Sequence, residues 1–243
     1  MPTQLPGDGI CIGSHSVCLL RAARLNPDCS PEGGDSSGII TTAIVTLTAT
    51  PDVQDDTNFE PESGCGDTLW TYSKLGKVRR YNLTGSLGYH DWEAMQLLFG
   101  GTNLIGNGSS GFDGEVIGWA QSNYTEADPP NVYLEIFTPN VGAGVGECAT
   151  DAVDFPSYSG HIFGKARLRP DAATYERAER MMTFTDVAES NPNLGTGPWE
   201  DYPATGTIPN SPYFTVAYSD TAYDAILAEA RCGFADLADL GSS

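Results

Sequence analysis

Positive charge is scarce in this sequence. Its 243 residues hold 12 Lys and Arg against 32 Asp and Glu, a formal charge of −20 at neutral pH. A surface that grips nucleic acid needs outward clusters of Lys and Arg, and docking on anionic lipid needs the same, so the balance argues against both. No run of about 18 apolar residues is present, so no helix is expected to cross a membrane. Met1 to Gly9 lacks a basic stretch followed by an apolar one, and ordinary export is not expected. Cysteine is sparse as well. Cys11, Cys18, Cys29, Cys65, Cys148 and Cys232 come without an export signal and are expected as reduced thiols. On the same ground the N-x-[ST] matches at Asn82, Asn107 and Asn123 carry no meaning.

Catalytic motifs are missing too. No serine stands in a G-x-S-x-G elbow. The nearest approach to a phosphate-binding loop is Gly164-Lys165, where Ser159 occupies the first glycine position and Ala166 the hydroxyl position. Gly142, Gly144 and Gly146 read as a flexible turn and not as a dinucleotide fingerprint. His15, His90 and His161 are isolated, with no H-E-x-x-H or C-x-x-C beside them, so no metal centre is expected. Acid–base catalysis needs two carboxylates in one cleft. With 32 acids any pair can be nominated, so none is. The loop Asp52–Glu62 offers Asp52, Asp55, Asp56 and Glu60 to calcium. It lacks the central glycine and closing Glu of an EF-hand loop, and a solvated acidic loop is the simpler reading. No cofactor and no enzymatic activity are expected.

What is present points to β-structure with long loops: 28 Gly, 16 Pro and 11 Tyr, with charged residues at 18%, below the usual quarter. Residues 1–37 read as an extended arm, with Val17 to Leu25 its only regular patch. From Ile39, the residues Ile39, Ala43, Val45, Leu47 and Ala49 share one face against Thr42, Thr46 and Thr48, a strand ended by Pro51. Tyr81, Leu83, Leu87 and Tyr89 alternate against Arg80, Asn82, Thr84 and Ser86 as a second. Asp91 can cap a helix in which Trp92, Met95 and Phe99 share a face, stopped at Gly100-Gly101. Further strands are expected at Glu115–Gln121, Val132–Thr138, Gly160–Arg169, Ala178–Val187 and Tyr213–Tyr218. Residues 188–212 read as a long loop, of the kind that is usually functional or interfacial. Asp220 is expected to cap a last helix with an apolar stripe of Tyr223, Ile226, Leu227 and Ala230. The expected organisation is an arm over 1–37, a β domain over 38–218 and a helical tail over 219–243.

The bases are grouped. Arg21 and Arg24 stand together, then Lys74, Lys77, Arg79 and Arg80, then Lys165, Arg167, Arg169, Arg177 and Arg180, and last Arg231. Lys165, Arg167 and Arg169 are spaced by two, so a strand points all three to one face. A solvated strand face is one reading. The other is self-assembly: a basic strip on an acidic chain finds a partner in further copies of that chain, and such head-to-tail contacts close into rings or continue as tubes. Lys77, Arg79, Arg80, Lys165, Arg167 and Arg169 are the candidate subunit-interface residues.

The run Lys77-Val-Arg79-Arg80-Tyr81-Asn82-Leu83-Thr84, followed by the amphipathic stretch Asp91–Phe99 and Gly100-Gly101, resembles the major tail tube proteins of long-tailed, non-contractile bacteriophages, especially those of actinobacterial hosts. Ile39–Pro51 resembles the strand that precedes it in that family, and the resemblance spans about residues 35–218. It implies a mainly-β (α+β) fold of two packed antiparallel sheets, sandwich or barrel-like, with a short flanking helix. It also implies six copies per ring, and stacked rings through which the genome leaves the capsid. The implied partners are other copies of the chain and the tape measure, tail terminator and distal tail proteins, with viral DNA passing through unbound. The implied location is the virion tail, assembled in the host cytoplasm. The family brings no catalytic residues. Two other readings stay open: a carbohydrate- or receptor-binding β-sandwich with Trp70, Trp92, Trp119 or Trp199 as a platform, and a hydrolase with a noncontiguous acid pair.

Overall fold

The computed structural model describes residues 12–14, 17–34, 36–54, 57–59, 72–74, 77–88, 91–107, 109, 111–121, 128–142, 158–175, 180–199, 209–231 and 233–234. The strands are β1 (Ile12–Ser14), β2 (Leu19–Arg24), β3 (Gly38–Thr41), β4 (Ile44–Val53), β5 (Thr57–Phe59), β6 (Tyr72–Lys74), β7 (Val78–Leu87), β8 (Thr102–Ile105), β9 (Val116–Ala120), β10 (Asn131–Gly142), β11 (Tyr158–Tyr175), β12 (Arg180–Glu189) and β13 (Phe214–Tyr218). The helices are α1 (Trp92–Phe99) and α2 (Asp220–Ala228). The mainly-β class is as expected. Nine strands form one antiparallel sheet in the order β3-β2-β10-β11-β12-β7-β4, with β1 on β10 and β13 on β11; β5–β6 and β8–β9 are separate two-stranded sheets. The large sheet is open and does not close as a barrel.

The stretch from Ile39 is two strands and not one. β3 pairs with β2 at one end of the sheet and β4 pairs with β7 at the other, so the link Thr42–Ala43 joins its two edges. Gly88 N–H donates to Ala43 O at 2.7 Å and ties that link down. The sheet therefore curls around one face. An irregularity between Ile44 and Thr46 shifts the alternation by one residue, which buries Ile44 and leaves Val45, expected inside, 46% exposed.

Helix α1 fills the concave face. Asp91 caps it by accepting from Ala94 N–H at 3.1 Å, and Gly100, at φ 73°, ends it. Ala94, Met95, Leu97, Leu98 and Phe99 are all buried, because the helix is covered on two sides. Leu20, Leu83, Leu134, Phe163, Leu168 and Phe184 meet it from the sheet, and Trp119 of β9 closes over Phe99 from the far side, donating its indole N–H to Gly100 O at 2.7 Å.

The opposite face of the sheet is covered over only half its width. Tyr223 and Ile226 of α2 pack on Leu19, Ile40, Phe137 and Tyr218, while Leu194 and Trp199 pack on Ala23, Tyr133 and Ile162. Ser219, and not Asp220, caps α2, accepting from Ala222 N–H at 3.3 Å. Over β4, β7, β12 and the second half of β11 nothing among the described residues covers this face. There Thr46, Thr48, Thr50, Asn82 and Thr84 stand exposed.

Two segments expected outside the core contribute to it. Within the supposed arm of 1–37, β2 lies inside the sheet between β3 and β10, with Leu19, Leu20, Ala22 and Ala23 inaccessible to solvent. A strand buried on both faces shows no alternation, which is why its sequence did not announce it. Within the expected loop of 188–212, Asn191, Leu194 and Trp199 are buried, and residues 200–208 lie outside the described residues.

Candidate functional site

Two groups of charged residues stand out, one on the polar outer face and one inside. The outer group begins with a change of phase in β11. Phe163 and then Ala166 and Leu168 all face α1, an alternation reset opposite Val132 and Leu134 of β10. Lys165, Arg167 and Arg169 consequently point to the other face together, as their spacing predicts.

Each of the three has an acidic neighbour on β12. Lys165 Nζ lies 3.2 Å from Glu189 Oε2, Arg167 Nη2 3.9 Å from Glu189 Oε1, and Arg169 Nε 3.0 Å from Asp186 Oδ2. Arg80 Nε lies 2.8 Å from Asp52 Oδ2. The register makes this a continuous row: Asp52 stands opposite Arg80, Arg80 opposite Glu189, and Glu189 opposite Lys165. Four neighbouring strands thus present alternating charges along one line. Lys77 and Arg79 are exposed at the same end of the sheet, and among the described residues no ion pair engages either. The six candidate interface bases are therefore brought to one region, but four of them already hold an acid of their own chain. Exposed pairs of this kind contribute about 0–1 kcal/mol each.

The inner group was not foreseen. Arg21 of β2 stands directly opposite Glu135 of β10, and Arg21 Nε donates to Glu135 Oε2 at 2.6 Å, with the two side chains 2% and 0% exposed. Tyr218 joins them: its hydroxyl accepts from Arg21 Nη2 at 2.9 Å and donates to Glu135 Oε1 at 2.7 Å. The guanidinium lies 4.8 Å from the centre of the Trp199 ring, 5.4 Å from Phe137 and 5.8 Å from Tyr218. A buried charge persists when paired, hydrogen-bonded and set against aromatic faces, and all three conditions hold. Gly160 makes the room, since a Cβ there would stand 2.5 Å from Glu135 Oε1. The signal was in the sequence: one basic residue in the apolar run Leu19–Ala23 and one acid in Val132–Phe137.

The other candidates resolve as follows. His161 spans Thr138 Oγ1 at 2.9 Å and Tyr213 Oη at 2.8 Å, and burial lowers its pKa. His15 and His90 lie outside the described residues. Among the acids proposed for calcium, Asp52 is engaged with Arg80, and Asp55, Asp56 and Glu60 lie outside the described residues. Trp199 is 3% exposed, and Trp92 and Trp119 pack against the core; Trp70 lies outside the described residues. Cys18 and Cys29 are thiols, and burial pushes the Cys18 pKa up; Cys11, Cys65, Cys148 and Cys232 lie outside the described residues. Among the described residues no helix is long and apolar enough to cross a membrane, and no group of His, Cys, Asp or Glu is placed to hold a metal. No protein-family model matches the chain, and no curated protein matches it at a significant level.

Proposed function

We propose that this chain is a virion structural protein that polymerises as stacked six-membered rings into the tail tube of a long-tailed phage, an acidic conduit for outgoing DNA. Its partners on this reading are further copies of itself and the tape measure, tail terminator and distal tail proteins. The sequence resemblance supplies the family. The observation that carries the assembly is the uneven covering of the large sheet. Half of its outer face is closed by α2 and the Asn191–Trp199 segment, and the other half is a polar face that carries Arg80, Lys165, Arg167 and Arg169, with Lys77 and Arg79 exposed beside it at the start of β7. In a chain of net charge −20 that region attracts the acidic remainder of another copy. A head-to-tail contact repeats around a ring and leaves no copy unpaired.

The platform reading for a sugar is less favoured, because three of its four tryptophans are packed inward. The test is negative-stain microscopy of the purified full chain, with Lys77→Glu/Arg79→Glu beside it. Rings or tubes from the native chain, and shorter tubes from the variant, are the expected result. Discrete particles at every concentration and salt tried would overturn the reading. Lys77 and Arg79 serve better here than Lys165, Arg167 and Arg169. Reversing those three would crowd carboxylates against Glu189 and Asp186 and weaken the chain itself.

A further inference from the structure

The exposed apolar side chains of this chain are grouped. Among the described residues eight large ones stand open to solvent, and six of them lie in two places. Leu104, Ile105, Phe112 and Ile117 belong to the β8–β9 hairpin. Val53 and Val78 stand opposite one another, where β4 ends and β7 begins. Single exposed apolar residues need no explanation, but groups of them mark contact surfaces.

The charges at the two places are opposite. Asp113 and Glu115 are exposed beside Phe112, and the sequence holds no base between Tyr81 and Gly164. Val78 instead is flanked by Lys77, Arg79 and Arg80. Arg79 and Arg80 line an open cleft of about 450 Å³ with Asp52, Glu189 and Ser190. Arg80 is held by Asp52, while among the described residues no ion pair engages Lys77, Arg79, Asp113 or Glu115. Both places are exposed in the single chain, so neither covers the other.

The hairpin is also held in shape. Gly106 N–H donates to Glu115 O at 2.8 Å, and Gly114 N–H donates to Gly106 O at 3.0 Å. Gly111 and Gly114 take the positive φ values, 76° and 81°, that this turn requires. Trp119 fastens the base of the hairpin to Phe99 of α1. A tip shaped in advance loses little freedom on docking.

We propose that the β8–β9 hairpin of one copy docks on the Val53–Val78 end of a second copy of this chain. Leu104, Ile105 and Phe112 cover the two valines, and Asp113 and Glu115 meet Lys77 and Arg79. The proposal rests on the ring reading and names what that reading leaves open, the acidic half of the contact. The two halves differ, so each copy offers one hairpin and one receiving end, and the contact passes from copy to copy. Arg80 and Lys165 keep their partners within the chain.

Sedimentation of the full chain over a concentration series, with negative-stain microscopy of the same samples, tests this. Asp113→Lys with Glu115→Lys, and separately Lys77→Glu with Arg79→Glu, should each weaken association at least about tenfold, because like charges then meet. Mixed in equal amounts, the two variants should recover it, since the hairpin of each fits the receiving end of the other. Phe112→Ser, at an exposed position, should also weaken association about tenfold by removing apolar contact, and it stands in should a charge variant fail to fold. Charge variants that associate alone as the native chain does, folded variants that fail to recover in the mixture, or a Phe112→Ser chain of native association would each overturn the proposal. Hairpin variants that still form native rings would remove this contact and leave the ring reading standing. Recovery in the mixture as open filaments would support the contact and remove the rings. A native chain that stays single at every concentration would overturn both.

Discussion

Asp91 holds two distant parts of the chain with one carboxylate. Its Oδ1 accepts from Ala94 N–H at 3.1 Å, capping α1, and its Oδ2 accepts from Gly233 N–H at 3.0 Å, 142 residues away. Glu93 Oε2 accepts from Phe234 N–H at 3.2 Å beside it, and Phe234 packs against the main core. The C-terminal segment is thus fastened to the first turn of the central helix.

Replacing Asp91 should therefore remove two contributions. Asp91→Ala loses the cap, about 1 kcal/mol, and leaves the Gly233 N–H without its acceptor, about 1–3 kcal/mol more. Asp91→Asn keeps one oxygen to accept and should fall between alanine and the native chain. Urea midpoints of the three proteins check this. An Asn variant as stable as the native chain would show that the Gly233 bond contributes nothing.

The Arg21–Glu135–Tyr218 group gives a second prediction. Glu135→Gln leaves a buried guanidinium without its counter-charge, at a cost of about 3–5 kcal/mol. Replacing both members of the pair, Arg21→Met with Glu135→Leu, should cost less than either single change, because no charge is then left alone. A double-mutant cycle by chemical denaturation measures the coupling. Additive losses would mean that the two side chains do not sense each other.

Gly160 offers a test of how tightly that group is packed. A methyl there would stand 2.5 Å from Glu135 Oε1 and 2.8 Å from Tyr218 Cε2, both held in place by hydrogen bonds. Gly160→Ala should destabilise the chain by about 1–3 kcal/mol despite the better strand propensity of alanine. A thermal melt of native or higher midpoint would show that the group can yield.

The fourth prediction follows from His161. Burial holds its pKa below the ordinary 6.5, so the folded chain keeps the ring neutral where the unfolded chain protonates it. The unfolded state therefore binds more protons between the lowered value and 6.5, and stability should be full above pH 6.5 and decline as pH falls through that window. His161→Gln, which keeps a donor and an acceptor, should flatten this segment of the stability–pH curve. A native curve that is level from pH 7 down to the carboxylate range would refute the assignment.

The central helix and the strands around Leu83 and Phe184 were legible because each shows apolar residues at a regular period, and the strand around Leu134 because Val132, Tyr133, Ile136 and Phe137 are β-branched or aromatic. Val45 was misplaced because a bulge is invisible to a period count: the extra residue between Ile44 and Thr46 turns Val45 outward, while Leu47 and Ala49 beyond it keep the expected face. β2 and Trp199 were missed for a different reason. Leu19–Arg24 has no polar face to contrast with, and Trp199 sits among prolines and glycines whose backbone forms no regular element, though its ring is core. The buried pair needed contact between positions 114 apart, which no local pattern encodes. The line of alternating charge is likewise a product of register: its members come from four strands, and only their alignment makes it a line.

The link Thr42–Ala43 also sets a timetable for synthesis. β2 with β3 and β4 with β7 can pair as soon as they emerge, yet the strands that unite these pairs, β10, β11 and β12, are made later. From Leu87, where β7 ends, to Glu189 a ribosome needs about 5–20 s at about 5–20 residues per second. Throughout that interval the nascent chain is two strand pairs hinged at one point, like an unclosed book. The inward edges of β2 and β7, and the apolar side chains beside them, wait for pages not yet printed. A slow-translating stretch after β7 would lengthen the exposure. The yield of folded chain should then depend on elongation rate and on chaperone supply more steeply than the stability of the finished protein would suggest.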